Sequence, residues 1–148
     1  MKNLKSPIEY AANLATYYGH QLERSVVYTQ GVAVSGRLRL HDLSPESSSG
    51  DPSGDIAAMV AEYSNDHSGI FSESDGTANY AGICWADELA QATGDDSYLE
   101  LLKFTADLFG PSLEEGPLDP DIRVEDFFFA ATILGRAFKT TGDEKYTN

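Results

Sequence analysis

The spacing of apolar positions predicts helices along most of this chain. Ile8, Tyr10, Ala11, Leu14, Ala15, Tyr17 and Tyr18 recur at three- and four-residue intervals behind Pro7, a residue suited to a first turn, and predict a lead-in helix over 7–18. A second helix over 26–43 carries Val27, Gly31, Val34 and Leu38 on one stripe, with Arg37, Arg39 and Asp42 mostly off it. The run 44–54 is Ser, Pro, Gly and Asp almost throughout and predicts an exposed, mobile loop. Helical spacing resumes through Ile56, Met59, Val60 and Tyr63 until the polar run 64–69 ends it.

After a loop over 72–77, a helix over 79–92 is apolar on nearly every side through Tyr80, Ile83, Trp85, Ala86, Leu89 and Ala90. Thr93-Gly94-Asp95 breaks it, and Tyr98, Leu101, Leu102, Thr105, Leu108 and Phe109 carry a return helix to Gly110-Pro111. Beyond a turn-rich link over 112–120, residues 127–135 are apolar without alternation. The length of that run and its Ala-rich continuation to Lys139 favour a buried helix over a buried strand.

Two turns repeat. Ala92-Thr93-Gly94-Asp95-Asp96-Ser97-Tyr98 returns as Thr140-Thr141-Gly142-Asp143-Glu144-Lys145-Tyr146, and Ser53-Gly54-Asp55 is a fainter echo. Glycine can end one helix in the left-handed conformation, and aspartate can cap the next. The expected architecture is all-α, an array of helical hairpins over about 26–65, 79–109 and 122–148 within one domain spanning 1–148. The third hairpin stops where its return helix should begin, which predicts an uncovered apolar helix, self-association through it, and a natural domain longer than this chain.

Bulk properties narrow the partners. With 24 acidic and 10 basic residues the formal charge is -14, which repels phosphate backbones and anionic lipid surfaces, so neither nucleic acid nor membrane is expected as a partner. The first ten residues lack the apolar core of a signal peptide, no window has the length of a membrane span, and the single Cys84 can form no internal disulfide. A cytoplasmic setting is expected, with Cys84 packed in an apolar helix. His20, His41 and His67 are scattered, and the aspartates form no calcium-loop pattern, so no metal is expected.

An inner helix that is apolar all round, a Thr-Gly-Asp-x-x-Tyr turn and an amphipathic outer helix together resemble the repeat of the (α/α)6 toroids, rings of six hairpins. Within them, the segment from Val124-Glu125-Asp126-Phe127-Phe128-Phe129 through Gly135-Arg136 to Thr141-Gly142-Asp143 is similar to the unsaturated glucuronyl and rhamnogalacturonyl hydrolases, glycoside hydrolase families 88 and 105. The resemblance covers roughly 26–148 and is distinctive only over the last 25 or so residues. It makes this chain the N-terminal half of a toroid.

That resemblance implies a substrate, an oligosaccharide ending in a 4,5-unsaturated uronic acid as left by a polysaccharide lyase, and a mechanism needing no cofactor. A carboxylic acid protonates C4 of the enol ether, water adds at C5, and the hemiketal opens to release the sugar. The family's catalytic acid is an aspartate. Spacing puts Glu125 at its position and Asp126 one residue later, so either is the candidate, with Phe127, Phe128 and Phe129 expected to desolvate it. A second family aspartate falls near Ala78 and Asn79, with Asp75 a few residues early. Arg123 could pair with the substrate carboxylate, and Tyr80 and Trp85 could stack on a sugar ring.

Each residue also has a plainer use. Glu125 and Asp126 suit the start of a helix, Arg123 suits Asp121 or Glu125, and Tyr80 and Trp85 suit a core. Two other functional classes compete with the hydrolase reading: a non-catalytic helical array that binds a partner, and a toroid enzyme acting on saturated sugars, of endoglucanase or epimerase type.

Overall fold

The computed structural model describes residues 6–22, 28–65, 71, 76–109 and 124–147, and every regular element among them is helical. The lead-in helix is α1, Pro7–Ala15, shorter at its C-terminal end than expected. Ser6 and Glu9 cap it reciprocally: the Ser6 N–H donates to Glu9 Oε2 at 2.6 Å, and the Glu9 N–H donates to Ser6 Oγ at 3.2 Å. No residue of α1 is buried; it lies on the next helix, and Arg37 Nη1 donates to the Gly19 carbonyl at 2.7 Å to tie down the connection.

Helix α2, Tyr28–Leu43, buries Gly31, Val34 and Leu38 of the predicted stripe, and also Ser35 and Leu40, while Val27 lies outside the described residues. The segment expected to be a mobile loop is instead tied down. It holds a 3-10 turn at Pro45–Ser47, buries Ser44 and Pro52, and uses hydroxyls as partners: Ser44 Oγ donates to Glu46 Oε1 at 2.6 Å, and His41 Nδ1 is hydrogen-bonded to Ser48 Oγ at 2.8 Å. Polar composition does not imply looseness when the side chains cap one another.

Helix α3, Ser53–Asn65, buries Ile56, Val60 and Tyr63. Ser53-Gly54-Asp55 lies inside α3, so the third echo of the turn is displaced to Gly50-Asp51. Gly50 has φ +114, and Asp51 Oδ1 accepts from the Ser53 N–H at 2.9 Å.

The expected continuous helix over 79–92 is broken. It consists of α4, Thr77–Tyr80, a 3-10 turn at Ala81–Ile83, and α5, Ala86–Thr93. At the break α2 presses backbone to backbone: a Cβ on Gly31 would lie 2.2 Å from the Gly82 carbonyl oxygen. A side chain at Gly31 would not fit there. Residues 81–87 are all buried, Trp85 completely, which accounts for a segment apolar on every side.

Helix α6, Ser97–Asp107, returns with Tyr98, Leu101, Leu102, Thr105 and Ala106 buried. Helix α7, Val124–Thr141, buries only the i, i+4, i+8 stripe Phe129, Ile133 and Ala137, leaving Val124 at 85% and Phe127 at 70% exposure. The expectation of a buried helix over 127–135 holds only for Phe129 and Ile133; the rest of that run is half-buried or exposed.

The repeated turn recurs bond for bond. Thr93 Oγ1 donates to the Leu89 carbonyl at 2.8 Å and Thr141 Oγ1 to that of Ala137 at 2.7 Å. Asp95 Oδ1 accepts from the Ser97 N–H at 2.9 Å and Asp143 Oδ1 from the Lys145 N–H at 3.0 Å. Gly94 and Gly142 are both left-handed, at φ +73 and +68. The chain then diverges: α6 follows the first copy, whereas a 3-10 turn at Glu144–Tyr146 follows the second, its Tyr146 hydroxyl donating to Asp107 of α6 at 3.1 Å.

Candidate functional site

Pairwise contacts fix how the inner helices run. Thr77 at the start of α4 meets Asp126 near the start of α7, and Asp87 and Glu88 of α5 meet Arg136 of α7. Tyr28 of α2 packs its ring on Phe128 and Phe129, with centroids at 6.0 and 4.6 Å, and Ser35 of α2 bonds Arg136. Advancing along one helix advances along the others, so α2, α4–α5 and α7 lie parallel with their N-terminal ends together. These ends form a mouth. About 15 Å further along, at 1.5 Å per residue, the same helices meet again in a charged belt.

At the mouth, Thr77 Oγ1 donates to Asp126 Oδ1 at 2.6 Å. Asp126 is half-buried and Glu125 is exposed. Consecutive helical residues point about 100° apart, so Asp126 turns toward α4 while Glu125 shares the stripe of Phe128, Thr132 and Arg136. Asn79 Oδ1 accepts from the Gly76 N–H at 3.4 Å, a contact within its own turn. Tyr80 is held edge-on between Phe71 and Phe109, with centroids at 4.8 and 5.4 Å.

Two expectations fail here on burial. Trp85 has no exposed surface and packs edge-on to Tyr98, so its indole offers no face to a sugar. Of the three phenylalanines meant to desolvate the acid, only Phe129 is buried; Phe127 and Phe128 are 70% and 49% exposed. Arg123 lies outside the described residues.

The belt was not anticipated. Arg136 Nη1 donates to Asp87 Oδ1 and, at 2.9 Å, to Glu88 Oε1, while its Nη2 reaches Ser35 Oγ at 3.4 Å. Ser35 Oγ donates to Glu88 Oε2, and Arg39 Nε donates to Glu88 Oε1. Lys139 Nζ stands 3.9 Å from Asp87 Oδ2. Burial opposes the Arg136 charge, but Asp87 and Glu88 outweigh it and hold the guanidinium above its ordinary pKa. Cys84, beneath the belt, is buried, and desolvation pushes its thiol up to about 11 despite the nearby Arg136, so it is an inert packing residue.

The sequence signal for the belt was present. Glu88 and Arg136 occupy the same place relative to the two Thr-Gly-Asp turns, with opposite charges inside otherwise apolar helices, and buried charges are found paired. Among the described residues no group of histidine, cysteine and carboxylates could hold a metal, and no helix is long and apolar enough to cross a membrane. No family model, curated protein or solved structure matches the chain.

Proposed function

We propose that this chain is part of an (α/α)6-type toroid and that its mouth acts on 4,5-unsaturated uronyl oligosaccharides. The observation that carries this reading is the parallel set of inner helices, of which α5 and α7 close on bond-for-bond copies of one Thr-Gly-Asp turn, with a carboxyl pair where α7 begins. Such a mouth offers one carboxyl held by a neighbour and one open to a ligand. Asp126, anchored by Thr77, holds the end of α7 against α4. Glu125, exposed on the adjacent face, is the proton donor to C4 and then the base that accepts a proton from the water attacking C5.

Incubating the protein with an unsaturated uronyl disaccharide, and following the ultraviolet absorbance of its conjugated alkene, tests the reading. The absorbance is expected to fall, and Glu125→Gln to slow that fall by about 10²-fold or more, the usual loss for a general acid. Release of sugar from a saturated analogue instead would favour a saturated-sugar enzyme. Inertness toward both substrates would favour a non-catalytic array.

A further inference from the structure

Between α2 and α7 runs a groove of about 410 Å³, within the range of small-molecule sites. Val32 of α2 and Phe128 of α7 form its walls, both 44–49% exposed, and Cys84 lines it from α5's approach. At Gly36 the α2 wall is bare backbone, where an added Cβ would meet nothing within 4 Å. Arg39 and Arg136 line the end of the groove at the belt.

We propose that this groove binds a small organic carboxylate with an apolar body about the size of one aromatic ring. Arg39 spends its Nε on Glu88, and its two terminal nitrogens have no partner among the described residues. Those two donors match the two oxygens of a carboxylate, which therefore adds to Glu88 without displacing it. Arg39 and Arg136 are the charged residues that line the groove, and no carboxylate among the described residues lines it, so its belt end is cationic in a chain of net charge -14. The walls decide the body. With hydroxyls only at Ser35 and Thr132, the groove would leave most groups of a polyol unpaired, a cost that an aromatic or short aliphatic body avoids. The groove runs from Phe128, one turn from Glu125 on the same face of α7, to the belt, and the proposal does not depend on the hydrolase reading.

Titrating isotopically labelled protein with benzoate, followed by NMR, tests the proposal, with benzyl alcohol and galacturonate as comparison probes. Benzoate is expected to shift the Gly36 and Thr132 amides saturably, and benzyl alcohol to shift them far less. Arg39→Gln should weaken benzoate about tenfold, as for loss of a charge-assisted pair. Gly36→Leu should fill the groove and abolish binding with no loss of melting temperature, since the added side chain meets open space. The proposal is overturned if benzoate shifts neither amide, if the alcohol binds equally well, or if both variants bind like the parent. Preference for galacturonate would also overturn it, by assigning the groove to a sugar acid.

Discussion

At the mouth, Thr77 of α4 donates to Asp126 of α7, and Glu125 beside it is exposed; ten residues along the same helix, Arg136 meets two carboxylates and a serine. The same helices are thus joined twice, by a hydroxyl–carboxylate contact at the mouth and by a network of charged partners at the belt. Partners that are charged, multiple and buried resist change, because removing one strands the others in low dielectric. At the mouth, where Asp126 is half-buried and Glu125 exposed, water can replace a lost partner, so the penalty is smaller.

The largest test of this contrast is Arg136→Met, which leaves Asp87 and Glu88 without their buried cation. It is expected to cost about 3–5 kcal/mol in denaturant unfolding. Adding Asp87→Asn should restore part of the loss; simple additivity of the two variants would show that the belt is not a coupled unit.

A second test uses pH. Burial holds the Cys84 thiol protonated in the fold up to about 11, whereas in the unfolded chain it titrates near its ordinary value of 9.0. The unfolded chain therefore releases a proton first, and the thiol's contribution is complete below pH 9 and lost as pH rises toward 11, by about 2–3 kcal/mol. Melting curves across that window should fall more steeply for the parent than for Cys84→Ala. Parallel curves would place Cys84 in a wetter setting than the belt provides.

The smallest effect is expected at the mouth. Asp126→Asn keeps a partner for Thr77 and should cost less than about 1.5 kcal/mol, while Glu125→Gln should change stability by no more than about 0.5 kcal/mol. A loss at either position comparable to that of Arg136→Met would erase the distinction between mouth and belt.

Much of the helical order was legible in the residues. The stripes Gly31-Val34-Leu38 and Ile56-Val60-Tyr63 are buried as their spacing requires, because a side chain's direction on a helix follows from its position alone. The repeated turns were equally legible: a left-handed glycine followed by an aspartate that caps the next segment is a local device, complete within a few residues.

The mouth was only half legible. The carboxyl pair could be located, but its orientation depended on where α4 lies, and the contact with Thr77 and the half-burial of Asp126 distinguish it from Glu125. Trp85 could be read as core or as a sugar platform, and burial alone decides for the core.

By itself the sequence determined the helical class, the buried stripes of α2 and α3 and the two Thr-Gly-Asp turns, since each depends on neighbours within a few positions. The tertiary structure decided the break after Tyr80, where Gly31 and Gly82 meet across the chain, and the belt joining Ser35, Glu88 and Arg136. Both arise from groups far apart in sequence whose approach depends on the placement of whole helices. Helical periodicity carries the direction of a side chain and no information about what stands opposite it.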